Sequence, residues 1–204
     1  SLPESRRVQV LGRKGLQAWE DGKDWRKYMR GYAGLREVKD RLRGIKLQLH
    51  AGKKSDEELM AENLVPPTDE FIESIAKKYG MTYTKGKKGE DRFYSDDGAP
   101  IYPLNDGAVG DVKVITLKAG SGLVDRYGRS SGRYLSPEGT PIEQRSLSKD
   151  AKKQTYHVYK VIRDIENVEE GLIAPWFNDP GGGIQYRLPK TIDELSGYLK
   201  EVDQ

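Results

Sequence analysis

The C-terminal third of this 204-residue chain is punctuated by glycine and proline at short intervals. Asp125-Arg126-Tyr127-Gly128, Gly132-Arg133-Tyr134-Leu135-Ser136-Pro137 and Gly139-Thr140-Pro141 are followed by Ala174-Pro175-Trp176-Phe177 and Gly181-Gly182-Gly183-Ile184-Gln185-Tyr186. Glycine admits backbone conformations closed to other residues and proline fixes one dihedral, so these blocks impose sharp turns at set positions. Between the turns stand arginines, tyrosines and a glutamine rather than a solvated mixture of Lys, Glu and Ser. That combination points to a cleft whose backbone approaches an anionic, partly aromatic ligand.

Composition limits what surrounds such a cleft. With 35% hydrophobic and 33% charged residues, the chain supports one substantial domain, or a domain with a small companion, around a modest core. No uncharged apolar run reaches the length of a membrane span. No signal peptide is visible and the chain does not begin with Met, so a fragment of a longer protein is expected. The absence of cysteine excludes disulfides, thiol nucleophiles and thiolate-bound metals, and His50 and His157 are too few for an ordinary zinc site, so no metal is expected. The net charge of +3 does not by itself imply nucleic-acid binding. Its basic excess lies in the first sixty residues, among them Arg6, Arg7, Arg13, Arg26, Arg41 and Lys46, without the aromatic interleaving of a stacking platform. A solvated helix face accounts for it; a nucleic-acid-binding or nuclease module is the competing reading from a different class.

The periodicity changes partway along. Trp25, Tyr28, Tyr32, Leu35, Val38, Leu42, Ile45 and Leu49 recur at helical steps. A short helix is expected after Ser55, and another after the N-cap Thr68, with Phe71, Ile72, Ile75 and Ala76 inward and Gly80 as its stop. Beyond the polar connector Lys85-Gly86-Lys87-Lys88-Gly89 the period becomes two. Strands are expected over 112–117, 156–162 and 184–188, and a last helix over 192–202. The reading is α+β: a helical N-terminal segment, 1–85, as linker or support, followed by a compact β-rich domain, 86–204.

Several residues could carry chemistry. Arg126, just before a Tyr-Gly turn, could present its planar fork to a diphosphate or pair with a surface carboxylate. Arg133 and Arg145 are further cations, and Tyr134 could stack on a flat heterocycle or pack in the core. His157 shares a strand face with Tyr159, opposite Tyr156 and Val158, as a packing residue or a group titrating near neutrality. Gln185 shares a face with Arg187, and its amide could hold sugar hydroxyls through donor and acceptor alike. The triple glycine is no P-loop, because no Gly-Lys-Ser/Thr follows it, and no nucleophile elbow surrounds a serine. Carboxylates for glycosidase chemistry could be drawn from Asp125, Glu138, Glu143 and Asp179, all in turn-like contexts.

Taken in order, these blocks resemble the tuberculosis necrotizing toxin family, the C-terminal NAD⁺ glycohydrolase domains of secreted bacterial polymorphic toxins. The matching run begins at Gly122-Leu123-Val124-Asp125-Arg126-Tyr127-Gly128 and passes through Gln144-Arg145-Ser146-Leu147 and Tyr156-His157-Val158-Tyr159. It ends at Gly197-Tyr198-Leu199. One departure stands out: Asn178-Asp179 before Pro180, where the family would have something like Gly-Gln. The resemblance implies two small β-sheets around an NAD-binding cleft, as in ADP-ribosylating toxins. It implies Gln185 and His157 as catalytic positions, Arg126 on the diphosphate with Arg145 in support, and Tyr134 with Trp176 and Phe177 among the substrate contacts. Gln185 would stand where a transferase of that fold keeps a glutamate. NAD⁺ or NADP⁺ would be substrate rather than cofactor, and a cognate immunity protein the expected partner. The expected setting is a secreted effector acting in the cytosol of a target cell and depleting its dinucleotide pool, with an ADP-ribosyltransferase as the alternative enzyme.

Overall fold

A computed structural model describes residues 54–202. Residues 54–60 with 64–67 belong to one compact unit, and 61–63 with 68–202 to another. In the first lies most of α1 (Asp56–Ala61), opened by a capping box in which Ser55 Oγ accepts from Glu58 N and Glu58 Oε2 accepts from Ser55 N. The expected helical stretch over 25–49 and the basic residues around it lie outside the described residues.

The second unit holds α2 (Asp69–Lys78), started by Thr68, whose hydroxyl accepts from Phe71 N, and closed before Gly80 at φ +67°. Its inward residues Ile72, Ile75 and Ala76 pack with Phe93, Tyr94, Ile101, Trp176 and Phe177 in an aromatic core. Seven strands follow: β1 (Lys113–Leu117), β2 (Leu123–Tyr127), β3 (Tyr134–Pro137), β4 (Tyr156–Val161), β5 (Ile165–Leu172), β6 (Ile184–Arg187) and β7 (Leu199–Glu201). All neighbours pair antiparallel in the order β1-β5-β6-β3-β2-β4-β7. A second core of Leu117, Val124, Leu135, Tyr159, Val161, Val168 and Leu188 lines one face.

Strand pairing runs unbroken through all seven strands, with the four-residue β3 belonging to both halves. Its first residues, Tyr134 and Leu135, pair with Arg187 and Tyr186 of β6, and its last, Ser136 and Pro137, pair with Asp125 and Val124 of β2. The expected last helix is instead one 3₁₀ turn, Asp193–Leu195, followed by β7. Ile192, Leu195 and Leu199 do share one face, but that face meets the sheet core, and β7 pairs with β4 along its backbone. Three apolar residues at helical spacing are too few to hold a helix when a free strand edge offers backbone partners.

Candidate active site

Register decides which side chains meet. Opposed residues of antiparallel strands share a face, so Gln185 and Arg187 of β6 lie with Tyr134 and Ser136 of β3 and with Asp125 and Tyr127 of β2. A cavity of about 1050 Å³ is lined by Asp106, Asp125, Arg126, Tyr134, Arg145 and Gln185, among others. Four of the seven site residues that the resemblance implies therefore share one concavity.

Arg126 is half-buried, and burial pushes its guanidinium pKa below the ordinary value. Nη1 donates to Tyr134 O at 3.2 Å, while Nε is buried without a partner. Among the described residues no carboxylate is paired with it. A Cβ on Gly132 would overlap Nη1 and Nη2, which is why the chain needs glycine there. A permanently charged group, partly desolvated and unpaired, favours an anionic ligand.

Arg145 is committed elsewhere. Its Nη1 meets Asp125 Oδ1 at 2.6 Å, with both side chains almost fully buried, and Nε donates to Thr140 O at 2.9 Å. Asp125 Oδ2 also accepts from Tyr156 Oη (2.6 Å) and Gly139 N (3.0 Å). Only Arg145 Nη2, buried without a partner, remains available to a ligand. Burial first, then the neighbouring Asp125 carboxylate, pushes the Tyr156 phenol up to about 12. The native state thus holds this proton more tightly than the unfolded chain does. The stability it brings is complete below about pH 10 and is lost as pH rises toward about 12. Urea unfolding across that window should show an alkaline decline that Tyr156→Phe removes; an unchanged decline in that variant would place the cause elsewhere.

Gln185, 9% exposed, donates through Nε2 to the carbonyl of Asp106 at 3.0 Å. Tyr134, 40% exposed, donates to Asp106 Oδ1 at 3.2 Å. Burial, then the Asp106 charge, raises the Tyr134 phenol above its usual value. Arg187 Nε stands 3.7 Å from Asp106 Oδ2, and its Nη1 reaches Glu169 Oε2 at 2.9 Å. Asp106 was missing from the carboxylates considered above; the only signal for it was the Asn105-Asp106-Gly107 turn composition.

His157, Trp176 and Phe177 are not brought to this cavity. His157 pairs in register with Arg126, on the face of the sheet opposite Gln185. Of the two only Arg126, whose guanidinium lies against Tyr134 O and Gly132, also lines the cavity. His157 lies in a smaller concavity with Arg129, Tyr159, Asp193 and Glu201, its Nδ1 2.6 Å from Glu201 Oε1. Trp176, 1% exposed, donates Nε1–H to Ile101 O at 2.7 Å. Phe177 packs against Phe93, Tyr94 and Tyr102. Apolar bulk claims both for the core, from which they support the chain leading to the glycine triplet.

The triplet also serves the fold. Gly181 N and Gly183 N donate to Glu143 O and Gln144 O, and a Cβ at Gly181 or Gly183 would overlap backbone of 173–174 or 144. The close approach they allow is to the protein's own chain, which seats Gln185 at the start of β6. The departing pair Asn178-Asp179 is engaged as well: Asp179 N closes a turn on Trp176 O, and its carboxylate meets Lys152 Nζ at 2.7 Å.

Residues 116–202 match the family described as tuberculosis necrotizing toxin. The conidial surface nicotinamide adenine dinucleotide glycohydrolase nadA of Aspergillus fumigatus is 34% identical over 123 residues, covering 53% of this chain and 52% of the relative. The chain thus spans about half the length of that curated relative. Tuberculosis necrotizing toxin, solved with its immunity factor, is 23% identical over 64% of this chain and 82% of its own, at a TM-score of 0.46. Tse6, solved with Tsi6, is 18% identical over 46% of this chain and 73% of its own, at a TM-score of 0.32.

Proposed function

Because residues 116–202 match the tuberculosis necrotizing toxin family, we propose that the chain is the catalytic part of a secreted toxin that hydrolyses NAD⁺ to nicotinamide and ADP-ribose. The observation that carries this reading is the convergence of Arg126, Tyr134 and Gln185 on one cavity, with Arg126 free of any carboxylate among the described residues. Arg126 takes the diphosphate, with Arg145 Nη2 in support. Tyr134 flanks the nicotinamide, and Gln185 holds the ribose.

The chemistry asks little else of the protein. Cleavage of the nicotinamide–ribose bond releases a neutral pyridine, so no general acid has to protonate the leaving group. What remains is to hold the sugar, stabilise an oxocarbenium-like transition state and admit water. A neutral amide meets that need where a transferase's glutamate would activate an acceptor. His157 acts through its cross-strand neighbour Arg126, backed by Glu201, rather than on the ribose directly. NADP⁺ is accepted on the same scheme, and the consequence in a target cell is loss of its dinucleotide pool. A diffusible enzyme of this kind endangers its producer, so a cognate immunity protein that closes the cavity completes the proposal.

The test is nicotinamide release from NAD⁺ by the purified chain beside Arg126→Ala and Gln185→Ala. Each substitution should lower kcat/KM by at least about tenfold while melting remains cooperative. No nicotinamide release by the parent protein sinks the reading, and adenylate-labelled NAD⁺ left on protein would favour the transferase.

A further inference from the structure

The carboxylate that faces Tyr134 belongs to a loop that precedes the matched segment, and its backbone is under strain. Asn105, Asp106 and Gly107 adopt φ of +54°, +49° and +76° in succession. Left-handed backbone is visited by single residues; a run of it persists only where its surroundings enforce it. Here they do. Asn105 Nδ2 donates to Ala108 O and Gly110 O, Asn63 Nδ2 donates to Leu104 O and Ala108 O, and Gly107 O accepts from Ala174 N. The outcome is a rigid loop that holds Asp106 against two cavity residues at once.

We propose that Asp106 is the positioning residue of this site: its carbonyl fixes the rotation of the Gln185 amide, and its carboxylate pins the Tyr134 hydroxyl. A carbonyl oxygen only accepts, so the group facing it at 3.0 Å must be the Gln185 NH₂. The amide oxygen is thereby left for the ligand, and Gln185 accepts a hydrogen bond. A ligand hydroxyl suits it best, because it can donate to that oxygen and also accept from the second amide N–H, whereas a carbonyl or phosphate oxygen could meet only the N–H. Tyr134, with its proton committed to Asp106 Oδ1 and Arg187 beside its oxygen, offers the ligand its ring face but no donor. Arg187, bridging Asp106 and Glu169, keeps the carboxylate from swinging away. This inference refines the NAD⁺ reading, in which that hydroxyl belongs to the ribose beside the broken bond, and it rests on that reading for the identity of the sugar.

Gln185→Glu tests the amide rotation. It sets a carboxylate oxygen against the Asp106 carbonyl, and the glutamate can keep that contact only when protonated. Nicotinamide release by this variant, relative to the parent, should rise about tenfold or more between about pH 8 and about pH 5. A ratio flat across that range overturns the assignment. Asp106→Gly suits the left-handed backbone while deleting the carboxylate, and Asp106→Asn keeps an acceptor and tolerates the same backbone. The glycine variant should lose about tenfold in kcat, and the asparagine variant should recover to within about threefold. Equal activity of Asp106→Gly and parent overturns the pinning of Tyr134. If the parent releases no nicotinamide, the NAD⁺ reading fails, yet the positioning can still be decided without activity. Ring-labelled tyrosine NMR should show Tyr134 titrating lower in Asp106→Gly than in the parent, and an unchanged titration counts against it.

Discussion

Gly132→Ala is expected to fold like the parent protein and to lose about 10- to 100-fold in kcat/KM toward NAD⁺. The added methyl would occupy the space of Arg126 Nη1 and Nη2. Gly132 has no positive φ, so alanine suits its backbone. The obstructing atoms are the far end of a flexible side chain, so the guanidinium moves and the backbone stays. Little stability goes with it, because Arg126 makes one weak hydrogen bond within the protein, at 3.2 Å. What goes is a charge-assisted contact to substrate, ordinarily about 1.5–3 kcal/mol. Steady-state kinetics with thermal melting separates the two effects. Full activity in a folded Gly132→Ala protein would falsify the assignment of Arg126 to the substrate.

Arg145→Met should do the opposite and act on the fold. Arg145 and Asp125 are almost wholly buried and 2.6 Å apart. Removing one partner strands a carboxylate in the sheet, a loss of about 3–5 kcal/mol. For a chain of this size that is a fall in Tm of about 10 °C. Combining it with Asp125→Leu should recover part of the loss. Recovery stays partial because Tyr156 Oη and Gly139 N then lose their acceptor. A single variant melting within about 2 °C of the parent would show that the pair is not what holds β2 to the 139–145 segment.

These two arginines show how far the sequence reaches. The resemblance implies both as cations holding substrate, and spacing does not separate them. Only the neighbours differ: Asp125 lies one residue before Arg126, but strand alternation turns it to the other face, toward Arg145. Alternation of that kind was legible along β4 and β6, where Tyr156 and Gln185 sit on the faces their spacing implied. Helix α2 was legible from its cap, its apolar stripe and its glycine stop. By contrast β5, with the acidic run Ile165-Glu166-Asn167-Val168-Glu169-Glu170, carries no strand signal. Its pairing with β1 and β6 comes from backbone that composition does not report. Trp176 and Phe177 looked like cleft aromatics because they stand among the conspicuous turns, yet large apolar area is worth most in a core. Asp106 escaped notice because its partners lie 28 and 79 residues away.

The shared strand β3 has a consequence for how this domain can change over time. Four residues set two registers, so an inserted or deleted residue there would shift the pairing to β6 and to β2 together. Tyr134 would turn inward and Leu135 outward, and the two walls of the cavity would lose their alignment in a single step. Loops such as the exposed Gly120-Ser121-Gly122 turn can lengthen without that penalty. Length variation among working versions of this domain is therefore expected in its turns and not in β3, whose length is as much a part of the site as any side chain it bears.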